Sequence, residues 1–93
     1  MGEYENLVAS RLRAVMAEFG LETYKSIADI CGASTSAVNN WVNGLNLPRV
    51  PEVSKLCDAT GITLDWLYRG SLGAMEPKLG VRLNRRIQSN ISE

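Results

Sequence analysis

The stretch from Tyr24 to Gly44, YKSIADICGASTSAVNNWVNG, constrains the fold more than any other part of the chain. Ala28, Gly32, Val38 and Trp41 stand at the spacing of two short helices joined by a sharp turn, and Ile27, Cys31 and Ala33 fill the remaining apolar positions. Helices crossing at roughly 90–120° need a small residue where they touch, and Ala28 supplies one. Gly32 falls where the first helix ends, at a position that usually takes a positive φ. Val38 and Trp41, three apart, point back into the core. The opposite face of the second helix then carries Thr35, Ser36, Asn39, Asn40 and Asn43, all short, polar and uncharged. A helix with hydrophobes on one side and a row of hydroxyls and amides on the other is suited to reading a partner by hydrogen bonds. DNA base edges, which display distinct donor and acceptor patterns in the major groove, are the leading expectation.

The flanking sequence extends the helical pattern. Residues 4–19 form an amphipathic repeat through Leu7, Val8, Leu12, Val15, Met16 and Phe19, closed by Gly20. Thr23 is the expected N-cap of a helix over 24–31. Ser34 is the expected cap of one running to about Asn43, with Gly44 as its stop. Pro48 marks a loop, and Pro51 suits the first turn of a fourth helix that buries Val53, Leu56 and Cys57 and stops at Gly61. Thr63 caps a short fifth helix anchored by Leu64, Trp66 and Leu67 and ended by Gly70. No segment alternates long enough to predict a strand. The expected fold class is therefore all-α: a compact five-helix domain over residues 1–70, followed by a linker and basic amphipathic tail over 71–93.

That tail has its own pattern. Glu76-Pro77 can open a sixth helix, because Leu79, Leu83, Ile87 and Ile91 recur every four residues. Arg82, Arg85 and Arg86 lie off the stripe and are expected on a solvated face. Gly80 and Asn84 weaken the helix, and so short an isolated helix is marginal in water. It is expected to order by docking, on its own domain or on a second chain.

Composition narrows the function classes. Ninety-three residues with 45% apolar content make one small domain with a core. No run of about 18 apolar residues predicts a membrane span. The acidic start lacks the basic and apolar blocks of a signal peptide, so a cytoplasmic location is expected. The chain has no histidine, the commonest general base, and no glycine-rich phosphate loop, so no catalytic residue is expected. Cys31 and Cys57 lie on apolar helix sides as expected buried thiols, and two cysteines without histidine fall short of a four-ligand structural zinc. Neither metal nor cofactor is expected.

The net charge is zero, although duplex affinity rests heavily on cations meeting phosphates. Residues 1–70 hold six basic and eight acidic side chains, a net of −2, and residues 71–93 hold four and two, a net of +2. The distribution helps more than the sum: no acid lies between Asp29 and Glu52, and Arg49 falls inside that window.

From about Leu7 to Gly70 the chain resembles the lambda-repressor-like, Cro-type helix-turn-helix domains of phage repressors and related bacterial regulators. Two signals carry the resemblance. One is Ala28, Gly32, Val38 and Trp41 followed by Asn43-Gly44; the other is Gly61-Ile62-Thr63-Leu64-Asp65-Trp66-Leu67 with Gly70. It implies a five-helix domain whose third helix enters the major groove, usually as a homodimer on a two-fold operator. It implies base contacts from Thr35, Ser36, Asn39 and Asn40, and DNA-backbone contacts from Tyr24, Lys25, Asn43 and Arg49. Ser34, first a helix cap, can also meet a phosphate. Two departures stand out. Tyr24 occupies a position where Gln is common, and Ala17 and Val42 stand where some relatives bury an Arg–Glu pair between the first and third helices.

The leading functional expectation is a sequence-specific transcriptional regulator, a phage or prophage repressor with double-stranded DNA as partner. Asn39 and Asn40 are expected to pair bidentately with adenine. For a homodimer, Tyr68, Leu72, Leu83 and Ile87, with Leu79 and Ile91, are the expected exposed apolar residues. Two alternatives stay open. One is an antitoxin that autoregulates its operon and binds a protein partner through residues 71–93. The other is a helical interaction module that kept the fold and lost DNA binding, in keeping with the zero net charge.

Overall fold

Hydroxyl caps set three of the helix starts in the computed structural model, which describes residues 2–91, with side chains to Gln88. The Thr23 hydroxyl accepts from the Ser26 amide at 3.2 Å, Ser34 from Ala37 at 3.1 Å, and Thr63 from Trp66 at 3.0 Å. The elements are α1 (Glu3–Glu18), α2 (Tyr24–Cys31), α3 (Thr35–Val42), α4 (Val50–Thr60), α5 (Leu64–Arg69) and α6 (Pro77–Ile91). No strand forms among the described residues, so the expected all-α class with a sixth C-terminal helix is what the chain adopts. No helix among them is long and apolar enough to cross a membrane.

One hydrophobic cluster joins all six helices. Val8, Leu12 and Val15 of α1 meet Ile27, Ala28 and Cys31 of α2 and Val38 and Trp41 of α3. Val53 and Leu56 of α4 and Trp66 and Leu67 of α5 close the other side. α1 is the common wall, packed against α3, α5 and α6. Leu7 and Phe19, counted in its apolar repeat, end up exposed, and Cys57 is only half-buried.

α6 overturns the expectation of an outward-facing tail. Leu79 is buried and Leu83 is completely buried, while Ile87 is half-buried against the same cluster. The Ile91 side chain lies outside the described residues. Docking on α1 is favourable because each buried leucine contributes about 1.5–3 kcal/mol, which offsets the weak helix propensity of Gly80 and Asn84. Gly80 also serves the docking: a Cβ there would sit 2.9 Å from Leu72 Cδ2, so only glycine lets the chain before α6 fold over the helix. Glu76 Oε2 caps the helix by accepting from the Leu79 amide at 2.8 Å.

The arginines beside the stripe are not simply solvated. Arg82 and Arg86 donate through Nε to the two oxygens of Glu18 on α1, at 2.6 and 2.9 Å. Their hydrogen bonds, Arg86 first, hold the Glu18 carboxyl below its ordinary pKa and outweigh its partial desolvation. A carboxyl depressed on folding adds stability that is complete above its unfolded pKa and is lost as pH falls through the folded one. The acid-side decline in urea midpoint is therefore expected to be shallower in Glu18→Gln than in the wild type. Equal slopes below the ordinary carboxylate pKa would remove Glu18 from the acid response.

Candidate nucleic-acid interface

Packing of α2 against α3 through the turn at 32–34 orients the candidate reading helix. Gly32 adopts φ +67°, and its amide bonds back to the Ala28 carbonyl, so α2 stops within one residue. Ser34 then caps α3. Val38, Trp41 and Val42 bury one side of α3, which turns the other side outward.

On that outward side Thr35, Ser36, Asn39 and Asn43 are exposed and Asn40 is half-exposed. The four residues assigned to base contact thus share one helix surface. Asn40 also lines a hollow of about 590 Å³ between α3 and the following loop, together with Ser34, Asn46 and Arg49. The hollow brings a base candidate, a cap and a phosphate candidate to one flank of α3. The Asn40 carboxamide makes no hydrogen bond among the described residues.

Long-range ties fix the far end of α3. Arg13 Nη1 on α1 donates to the Val42 carbonyl at 2.7 Å, and its Nη2 donates to the Ser10 hydroxyl at 3.1 Å. This meets a free helix-end carbonyl with a cation, which the helix dipole favours. It does so close to where some relatives place a buried Arg–Glu pair; here Ala17 is exposed and Val42 is buried. Arg11 treats α5 the same way, donating to the Leu67 carbonyl at 3.1 Å. Gly44, at φ +74°, lies under the Asn6 carboxamide, which a Cβ would strike. Tyr68, expected at a dimer surface, is half-buried and donates to the Pro48 carbonyl at 2.5 Å. That bond ties α5 to the loop that carries Arg49.

The polar surface is a connected network rather than a row of independent side chains. Asn43 Nδ2 donates to the Asn39 main-chain oxygen and to Asn39 Oδ1, each at 2.8 Å, and lies 3.4 Å from the Tyr24 hydroxyl. The start of α2 is thereby joined to the end of α3. Sequence reasoning placed these residues on one surface but left their partnerships unread.

Both candidate phosphate cations have carboxylate partners. Lys25 Nζ sits 3.1 Å from Asp29, and Arg49 Nε is 3.9 Å from Glu52. The Lys25 and Arg49 side chains are 74% and 81% exposed, and such surface pairs contribute only about 0–1 kcal/mol, so a phosphate can replace either carboxylate. The i,i+4 and i,i+3 spacings made both pairs legible in advance. The thiols take no part: burial, then nearby Glu52, pushes Cys31 up to about 11, which leaves it neutral in the core.

A family model described as helix-turn-helix matches residues 12–67. The match runs from the middle of α1 through α5 and leaves α6 outside it. No curated protein and no solved structure matches the chain.

Proposed function

Because the chain belongs to the lambda-repressor-like, Cro-type helix-turn-helix family, and is on that ground a DNA-binding transcriptional regulator, we propose that it is a phage or prophage repressor acting in the cytoplasm. In this reading α3 lies in the major groove of a two-fold operator. Thr35, Ser36, Asn39 and Asn40 face the bases, while Tyr24, Lys25, Ser34, Asn43 and Arg49 meet the DNA backbone. The observation that carries it is the outward polar surface of α3, held at its start by the Ser34 cap and at its end by Arg13. Enrichment of bound sequences from a random duplex pool tests the reading. A palindromic consensus is the expected result, and no enriched sequence would overturn it.

Positioning contacts have a separate signature. Lys25→Ala and Arg49→Ala are each expected to weaken binding on every sequence and to lower the salt slope by about one. An unchanged slope in either variant removes that residue from the interface.

Two copies are proposed per operator, because four short side chains in one groove segment cover too few base pairs for operator-level specificity. The two α3 helices would then lie about 34 Å apart, in successive major grooves. Leu83 and Ile87 are taken up by the chain's own core and are replaced as dimer candidates. Leu72, 48% exposed, and Leu7, 47% exposed beside Ile87, are the apolar residues left open in that region. Sedimentation of the complex on the enriched duplex is expected to give two chains per duplex, and a single chain on an asymmetric site overturns the pairing.

The carboxylate partners of Lys25 and Arg49 are the observation that favours a second reading, a helical interaction module without DNA affinity. A gel shift on random duplex at low salt separates the two, since the module gives no shift. The docking of α6 on α1 leaves its buried stripe closed to the protein partner that an antitoxin requires.

A further inference from the structure

The Tyr24–Asn43–Asn39 network dictates which way the Asn39 carboxamide faces. Asn43 Nδ2 is 2.8 Å from the Asn39 main-chain oxygen. A carbonyl oxygen only accepts, so the atom facing it must be the amide nitrogen of Asn43. That nitrogen only donates, so the Asn39 atom 2.8 Å from it must be Oδ1. Asn39 is exposed, and with Oδ1 engaged its Nδ2 is turned away from Asn43 with two N–H donors. The Tyr24 oxygen, facing the same nitrogen at 3.4 Å, accepts and leaves its own hydrogen to donate outward. The network thus uses up acceptors on the inside and leaves donors on the outside.

This arrangement is at odds with the adenine pairing expected for Asn39. Adenine presents N7 as acceptor and N6–H₂ as donor, so bidentate pairing needs Oδ1 free. Cytosine presents a donor, and thymine a single acceptor beside a methyl group. Guanine alone offers two adjacent acceptors, N7 and O6.

We propose that Asn39 is a specificity-determining residue that selects guanine in each half-site through its Nδ2 donors, and that Asn43 is the positioning residue that holds its carboxamide in this orientation. The proposal rests on the reading of α3 as the DNA-reading helix. Asn40, whose carboxamide is not engaged in this way, keeps both donor and acceptor and with them the capacity for adenine.

Enrichment from a random duplex pool, run with the full 93-residue chain and with Asn39→Ala, Asn43→Ala and Asn43→Asp, tests this. One position per half-site is expected to be guanine for the wild type and degenerate for Asn39→Ala. Freeing Oδ1 in Asn43→Ala is expected to raise adenine relative to guanine there by about tenfold. In Asn43→Asp the carboxylate accepts from Asn39 Nδ2 and turns Oδ1 outward, so guanine is expected to give way to adenine or cytosine. Circular dichroism establishes that each variant is folded, and either Asn43 variant suffices for the positioning role. Adenine, cytosine or thymine at the Asn39-dependent position of the wild type overturns the guanine assignment. An unaltered preference in a folded Asn43 variant overturns the role of Asn43. A wild type that enriches nothing overturns the DNA-reading function itself, which is a different outcome from an enriched consensus carrying the wrong base.

Discussion

Leu83→Ala is expected to cost about 2–5 kcal/mol of unfolding free energy, the range for deleting a buried leucine side chain whose site only partly collapses. Leu83 is fully buried, outside the region that matches the family, and shares a cluster with Leu12 and Trp66. Small domains hold only about 5–15 kcal/mol in total, so the loss is a large fraction of it. Urea unfolding followed by fluorescence of Trp41 and Trp66 should still show one transition, moved to lower urea. The control is Val81→Ala on the outer side of the same helix, where the residue is 54% exposed and the cost is expected within about 0.5 kcal/mol. A loss under about 1 kcal/mol at Leu83, or a separate early transition, would show that α6 lies outside the cooperative unit.

Asn40→Ala carries the largest expected effect on recognition. It is expected to cost about 1–3 kcal/mol on the enriched duplex and almost nothing on unrelated duplex, as for the loss of one good bidentate base contact. The motivation is position and freedom: Asn40 faces the hollow shared with Arg49, and its carboxamide is not spent on a neighbouring side chain. Removing it should leave the fold intact, because α3 is anchored by Val38, Trp41 and Val42 from the opposite side. Paired titrations on the two duplexes measure the difference. Equal losses on both would make Asn40 a backbone contact and move base reading toward Thr35 and Ser36.

Most of the fold was legible because its signals are local. Thr23, Ser34 and Thr63 cap amides three residues ahead of them, and Gly32, Gly61 and Gly70 end helices with their own positive φ. Apolar spacing then identifies the side of each helix that must be buried, so Val38 and Trp41 imply the outward surface of Asn39 and Asn40. These interactions span four residues or fewer, and a linear pattern contains all the information they need.

What the linear pattern could not contain is which distant group each side chain meets. The stripe through Leu79 and Leu83 showed that α6 must dock, and left open whether on its own domain or on a second chain. Tertiary structure chose α1, where Glu18 meets Arg82 and Arg86 across separations of 64 and 68 residues. It also matched Arg13 to the Val42 carbonyl, 29 residues away, and joined Asn43 to Tyr24 across 19. Periodicity marks which side of a helix is buried or polar. Partner and donor orientation follow only once packing brings separate elements within hydrogen-bond range, where a carbonyl that can only accept decides how the Asn43 amide, and then that of Asn39, must turn.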